Sequence, residues 1–129
     1  MMQFNYSYLL NHLKINTARR NYYFEILVTP RVLDFLYLLQ ELNVIRRFYR
    51  INGNRYRVFP SWSYKNPTYR RIKLYNRGKN PINIHLAALS VLQHSTANSS
   101  LILSTPYGLI THREALRKKT GGHLVCLIF

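Results

Sequence analysis

The feature that most constrains this chain is its charge. Its 129 residues include 19 Lys and Arg but only four Asp and Glu, for a formal net charge of +15. Residues 1–67 hold ten of these cations and three acids (+7), and residues 68–129 hold nine and one (+8). A compact chain with this excess repels itself unless a polyanion offsets the charge. The charge therefore predicts a nucleic-acid partner that contacts the whole body and releases counter-ions from its phosphates.

The composition limits what else the chain can be. With 47% hydrophobic residues, it can bury a core and is not expected to be disordered. No apolar run reaches the roughly 18 residues of a spanning helix, and the cations are not confined to one amphipathic helix, so we expect no membrane partner. Cys126 is the single cysteine, which excludes an internal disulfide and a cysteine-based metal cluster.

The first residues and the overall composition suggest where the protein is made. The start MMQFNYSYLLNHLK resembles neither a secretory signal nor the Arg- and Ser-rich presequence of an imported protein. Eleven Tyr and many Asn, Ile and Phe indicate a coding sequence rich in A and T, as organelle genomes often are. We therefore expect an organelle-encoded protein of the mitochondrial matrix, with a plastid location as the alternative.

The pattern of apolar residues predicts an α+β protein of two small lobes, with a boundary in the polar segment 61–67. The first lobe, residues 1–67, is predicted to run α-β-α-β-β. Its helices cover residues 4–15 and the segment after Pro30, and Asn43 is expected to end the second helix in the left-handed conformation. Asn52-Gly53 between two strand-like runs predicts a hairpin, with arginines alternating along one face.

The second lobe, residues 68–129, is predicted to be mixed and mostly β, with a short capped helix. A strand over 69–75 and a turn over 76–81 precede a helix over 82–93, which is expected to bury Ile84, Ala88, Val91 and Leu92. After this helix, the pattern predicts a loop, the strand 101–104, a turn, the helix 111–119 and a terminal strand.

Three features of residues 101–129 indicate a functional region. Thr111 and Glu114 are expected to form a capping box, in which the threonine hydroxyl accepts from the Glu114 amide and the carboxylate reaches back to the Thr111 amide. The turn 104–108 offers small hydroxyls and one aromatic ring, which suits close approach to a sugar-phosphate backbone. Gly121-Gly122 allows a sharp turn into the last strand.

The order of these parts resembles the ending of the ribosomal protein S8 family, a component of the small ribosomal subunit. That ending reads approximately STSKG, then M-T-D-x-E-A-R, then GGE-x-L-C-Y-x-W. The matching residues are Ser104, Thr105, Gly108, Thr111, Glu114, Ala115, Gly121, Gly122 and Cys126. The chain departs from the pattern at Pro106, His123 and Leu116, where the family has serine, glutamate and arginine.

The resemblance implies a structural protein, without catalytic activity or cofactor, that binds the central domain of small-subunit rRNA and supports subunit assembly and translation. Its partners would be an rRNA stem and neighbouring small-subunit proteins, with no small-molecule substrate. The turn would lie against the stem, the glycines beside it, and surrounding cations on phosphates. The expected RNA-binding residues are Ser104, Thr105, Tyr107, Gly108, Gly121, Gly122, His123, Arg113, Arg117, Lys118 and Lys119, and with weaker support Lys14, Arg70, Arg71, Arg77 and Lys79.

Plainer interpretations remain open for several of these features. The turn 104–108 could simply join a strand to a helix, and the cations at 117–119 could serve the helix dipole. The hairpin arginines could face RNA or solvent. Cys126 is expected to be a buried small hydrophobe. The spacing of the histidines does not suggest a metal site. Most aromatic residues are expected in the core, although some could stack on bases. A free-standing RNA chaperone or regulator and a metal-free nuclease are the rival functions.

Overall fold

The structure, a computed structural model, describes residues 2–69, 71–74, 82–96 and 99–129. The chain forms two compact units, Met1–Tyr69 and Arg70–Phe129, hereafter unit 1 and unit 2. Both units mix helices and strands, which confirms the predicted α+β class. The predicted turn at 76–81 lies outside the described residues.

Unit 1 packs two helices on one three-stranded antiparallel sheet. Its strand order is β1-β3-β2, and a separate two-stranded hairpin, β4-β5, occupies the segment that the sequence suggested was irregular. The elements are α1 (Met2–Ala18), β1 (Phe24–Leu27), α2 (Pro30–Glu41), β2 (Ile45–Asn52), β3 (Arg55–Pro60), β4 (Trp62–Ser63) and β5 (Asn66–Pro67).

Helix α2 begins and ends as its sequence predicts. The Thr29 hydroxyl caps its first turn by accepting from the Val32 amide at 3.4 Å, and Pro30 occupies the first turn, where no amide donor is needed. After the helix, Asn43 has a φ of 63°, the left-handed conformation that asparagine tolerates. The helix buries Phe35 and Leu39 against the rest of unit 1.

The predicted hairpin is present, but its turn lies one residue later than the Asn-Gly pair suggests. Asn52 pairs with Arg55, so the two central residues are Gly53 and Asn54. Gly53 has a φ of 46°, which only glycine adopts without cost at a first central position.

The core of unit 1 lies between the helices and one face of the sheet. Leu9 and Leu13 of α1 are fully buried, and Tyr6 meets Phe35 of α2 edge to face at 4.9 Å. A buried hydrogen bond of 2.7 Å joins the Thr17 and Tyr69 hydroxyls, so the end of α1 is fastened to the end of the unit.

Unit 2 is built around its last strand. Strand β10 pairs antiparallel with β6, β7 and β8, and β9 extends the sheet beyond β8. The elements are β6 (Ile72–Leu74), β7 (Asn83–Ile84), α3 (Leu86–Thr96), β8 (Ser100–Thr105), β9 (Gly108–Thr111), α4 (His112–Arg117) and β10 (Gly122–Ile128).

The predicted buried face of the third helix is wrong at Ala88 and Val91, whereas Leu92 is half-buried and packs against the core of unit 2. Ile84 lies in β7, where it pairs with Gly122 of β10, and the helix begins only at Leu86. Within the helix, Val91 is 71% exposed, whereas Leu89 is fully buried in the core of unit 2. Ala88 is exposed as well.

Segment 104–108 also differs from the prediction. A strand, β9, separates it from helix α4, so the segment is the tip of the β8–β9 hairpin and does not lead directly into the helix. Sequence patterns missed β9 because it is only four residues long and includes both Gly108 of the turn and Thr111 of the helix cap.

Candidate nucleic-acid interface

The hairpin tip is held in shape by one hydroxyl. Thr105 pairs with Gly108, which has a φ of 101°, and Pro106 and Tyr107 are the central residues. The Thr105 hydroxyl accepts from the Tyr107 amide at 3.1 Å and donates to the Gly108 carbonyl at 3.0 Å. The Ser104 hydroxyl makes no hydrogen bond within the part of the chain that the structure describes. Of the two hydroxyls, Ser104 is therefore the one available to a ligand.

The paired glycines are needed for close approach of strands. Neither has a positive φ, so the expected reason, freedom to turn sharply, does not apply. A Cβ on Gly121 would overlap the Ile84 carbonyl oxygen. A Cβ on Gly122 would lie 2.6 Å from the Ser104 carbonyl oxygen and 2.7 Å from Thr105 Cγ2. The absent side chains thus let the start of β10 lie against β7 and the hairpin tip.

A groove forms where these parts meet, with a volume of about 530 Å³. Strand register explains its composition, since His123 pairs with Ser104 on one side and with Asn83 on the other. Asn83 and His85 were not among the predicted site residues, because nothing in the sequence indicates that β7 joins β10. The lining residues are Asn83, Ile84, His85, Leu86, Ser104, Thr105, Pro106, Gly121, Gly122 and His123.

Helix α4 carries half of the predicted capping box. The Thr111 hydroxyl accepts from the Glu114 amide at 3.3 Å, as expected. The Glu114 carboxylate does not make the predicted return bond to the Thr111 amide and instead lies 3.2 Å from Nη1 of Arg117. An exposed ion pair one turn along the helix replaces that half of the box.

The predicted cations of unit 2 do not form one cluster. Lys118 lies at the tip, with its Nζ 4.6 Å from the centre of the Tyr107 ring, whereas Arg113 places Nη1 3.4 Å from the Ser100 hydroxyl at the opposite end of β8. Arg117 pairs with Glu114, and Lys119 is exposed with a φ of 55°. Among the predicted cations that the structure describes, Lys118 is the one at the hairpin tip.

The other expected cations are scattered or outside the described residues. Lys14 is half-buried on α1 of unit 1. Arg71 is exposed in unit 2, and its carbonyl accepts from the Phe129 amide at 2.8 Å. The structure does not describe Arg70, Arg77 or Lys79.

Two buried groups in unit 2 serve structure. Cys126 is fully buried and burial raises the pKa of its thiol to about 12, which confirms the predicted small hydrophobe. His112, which the sequence did not single out, is also fully buried, and burial lowers its pKa.

Two further properties concern only the described residues. Among them, no three His, Cys, Asp or Glu side chains are close enough together to hold a metal ion. None of the helices in these ranges is long and apolar enough to cross a membrane.

Comparison with known proteins identifies the family. The family model of ribosomal protein S8 matches residues 7–129. A 28-residue segment is 68% identical to small ribosomal subunit protein uS8c of Adiantum capillus-veneris, covering 22% of this chain and 21% of that protein. A 29-residue segment is 55% identical to small ribosomal subunit protein uS8 of Aeropyrum pernix, covering 22% of each. These alignments span about a fifth of either relative's length. The family model, in contrast, spans nearly the whole chain. The chain therefore belongs to the ribosomal protein S8 family.

Proposed function

We propose that this protein is a structural component of the small ribosomal subunit that binds small-subunit rRNA through unit 2. One observation carries the proposal: the groove joins the hairpin tip and the paired glycines, the parts on which the family resemblance rests. Family membership, the names of the two relatives and the net charge of +15 support it.

The chemistry of the groove suits an RNA backbone. Its polar groups are hydroxyl, amide and imidazole groups and open backbone atoms, and its lining contains no carboxylate that would repel phosphate. Small hydroxyls and amides bind 2′-hydroxyl groups, the feature that distinguishes RNA from DNA. Lys118, beside the exposed ring of Tyr107, supplies a positive charge at the hairpin tip for a phosphate.

Two of the three departures from the family pattern, Pro106 and His123, lie in this groove and change the contact there. Pro106 brings no hydroxyl and no amide donor to the tip, so fewer hydrogen bonds reach the RNA there. His123 is exposed where the family has a glutamate, and it offers a ring N–H to the RNA in place of a carboxylate. Both changes favour a contact based on shape and phosphate.

The finer proposal concerns the RNA segment, the partners and the location. By family resemblance, the RNA is a stem of the central domain of small-subunit rRNA, and binding supports early assembly next to other small-subunit proteins. The location is an organellar ribosome, mitochondrial or plastid. The match to a chloroplast relative, uS8c, fits the plastid alternative.

A hydroxyl deletion in the groove tests the proposal. Ser104→Ala removes a group that no part of the described chain uses, so we expect rRNA binding to weaken about 2- to 10-fold with unchanged stability. Ser63→Ala, an exposed serine of unit 1, is the matched control. Affinity for a central-domain rRNA fragment would be measured by filter binding. Equal affinities of the two variants would place the contact elsewhere.

Sedimentation separates a subunit component from its rivals. The protein is expected to stay with the small subunit through a high-salt wash. Release into the supernatant would indicate a free-standing RNA chaperone or regulator. Time-dependent cleavage of labelled RNA by the purified protein, abolished by a point substitution, would indicate a nuclease.

A further inference from the structure

A second surface with nucleic-acid chemistry lies on unit 1, on the sheet face opposite its helices. Phe24 and Val58 pair across the sheet and are buried on the helix side. Side chains alternate between the two faces of a sheet, so the residues next to these lie on the opposite face. Tyr23, Tyr49 and Phe59 are among them, and we call this surface the aromatic face. Most aromatic side chains were expected in the core, and that expectation is wrong. Among the described aromatic residues, Tyr6, Phe24, Phe35 and Tyr69 are buried, and the others, including these three, are half-buried or exposed.

The three rings of the aromatic face lie side by side. The Phe59 ring centre is 5.7 Å from that of Tyr23 and 5.9 Å from that of Tyr49, and both pairs are tilted. Tyr23 is 47% exposed and Tyr49 is 44% exposed, while Phe59 between them is half-buried. The rings thus form a contiguous platform that keeps much of its surface open.

Arginines complete the platform. The guanidinium carbon of Arg47 lies 4.5 Å from the centre of the Phe59 ring, and that of Arg57 lies 4.6 Å from the centre of the Tyr23 ring. Glu25 is the carboxylate on this face, with Nη2 of Arg57 at 2.7 Å and Nη1 of Arg55 at 3.5 Å. Three arginines against one carboxylate leave the face positively charged.

The platform continues into a groove at one end. Phe59 also lines a groove of about 360 Å³, together with Tyr22, Arg46 and Trp62. Tyr22 is 78% exposed, so this end offers another open ring in the same groove as another arginine. The same combination of aromatic and cationic groups therefore extends beyond the three central rings.

We infer that the aromatic face of unit 1 binds unpaired nucleotides of RNA by stacking bases on its rings, separately from the groove of unit 2. Base stacking on aromatic side chains needs bases free of a helix, and guanidinium groups supply both phosphate contacts and further stacking. An acidic polypeptide would use the arginines but would leave the rings unused. The inference takes RNA from the proposed function as the partner, but it rests on different residues.

The test compares a single-stranded RNA with a backbone that lacks bases. Fluorescence anisotropy of the full chain would be measured with a labelled ten-uridine RNA and with an abasic ten-mer of equal charge. Stacking predicts that the abasic ten-mer binds at least about tenfold more weakly. Equal affinity for the two ten-mers would show binding by charge alone and would overturn the inference, as would failure of the uridine ten-mer to bind.

Substitutions then assign the stacking to the aromatic face. The double variant Tyr23→Leu, Tyr49→Leu keeps apolar bulk but removes two rings, and we expect at least about tenfold weaker binding of the uridine ten-mer. Tyr64→Leu, which changes a fully exposed tyrosine of the β4–β5 turn, is the control and should bind like the parent. Equal losses of affinity for the uridine ten-mer in both variants, or no loss in either variant, would overturn the assignment.

Two further measurements keep the outcome clear. Photocrosslinking of a 4-thiouridine ten-mer to the unchanged protein does not depend on how a variant folds, and adducts confined to residues 70–129 would contradict the inference. Binding of the central-domain rRNA stem would be measured in parallel. Loss of ten-mer binding with retained stem binding separates this inference from the proposed function of the unit 2 groove.

Discussion

The Nδ1 atom of His112 accepts a hydrogen bond from the backbone amide of Leu101 at 3.1 Å, and both residues are buried. The bond joins the first residue of α4 to β8, the strand that leads to the hairpin tip. Burial is the main cause that lowers the pKa of His112, and the charge of Arg113 adds to it. The folded chain therefore holds this imidazole in its neutral form.

Removing the imidazole should destabilise unit 2. In His112→Leu the Leu101 amide stays buried without its acceptor, so we expect the free energy of unfolding to fall by about 1–3 kcal/mol. Urea denaturation of both proteins at pH 8 would measure the difference. A loss below about 0.5 kcal/mol would mean that the bond contributes little.

The same histidine should make stability depend on pH. Its pKa is lower in the folded state, so in acid the unfolded chain binds a proton that the folded chain does not. The stabilising contribution is complete above the unfolded pKa, about 6.5, and is lost as the pH falls below that value. Urea unfolding of the parent and His112→Leu from pH 8 to pH 5 would show the difference between them shrinking in acid. A constant difference would contradict this role.

The helix cap should matter more than the ion pair beside it. Thr111→Ala removes the hydroxyl that accepts from the Glu114 amide and should cost about 0.5–2 kcal/mol. Glu114→Ala breaks only an exposed pair with Arg117 and should cost about 1 kcal/mol or less. Thermal and urea unfolding would rank the two variants. A larger loss of unfolding free energy for Glu114→Ala than for Thr111→Ala would indicate that the full capping box forms.

A methyl group at Gly122 should disturb both stability and RNA binding. The added Cβ would lie 2.6 Å from the Ser104 carbonyl oxygen, so β10 or the hairpin tip must shift, at a cost of about 1–3 kcal/mol. Because Ser104 lines the groove, affinity for the rRNA stem should fall too. Ser63→Ala is the control for stability and for RNA affinity. If Gly122→Ala were as stable as the parent, the close packing at Gly122 would be refuted.

Binding to the rRNA stem should weaken steeply with salt. If the protein neutralises about six phosphates, affinity should fall about a thousandfold between about 50 and 200 mM salt. Lys118→Gln should make the slope of log affinity against log salt shallower by about one phosphate contact. Filter binding across that range measures both slopes. A flat profile would count against the electrostatic mechanism, and an unchanged slope in the variant would move Lys118 away from phosphate.

Local signals in the sequence predicted the elements whose ends depend on single residues. Asn43 ended α2 in the left-handed conformation because its side chain tolerates that backbone. Cys126 lay in an apolar run, and a lone thiol there is buried like any small hydrophobe. Gly53 marked a hairpin turn, although the register of the flanking strands moved the turn by one residue.

Pairing between distant strands decided what the sequence could not show. Ile84 has the spacing of a helical residue, yet it lies in β7 and pairs with Gly122, and Leu89, which the helical pattern did not include, is fully buried. The same pairing brings Asn83 and His85 into the groove. His112 was missed because a buried histidine satisfied by a backbone amide has no local sequence pattern.

The central position of β10 has a consequence for synthesis from the amino terminus. Strands β6, β7 and β8 all pair with β10 and come before it in the chain. Among the strands that the structure describes, β6 and β7 therefore lack their partner β10 while residues 70–121 emerge, whereas the β8–β9 hairpin can form without it. A stop codon before Gly122 would remove the shared partner of three strands instead of trimming an edge, leaving a nascent segment prone to aggregation or to proteolysis.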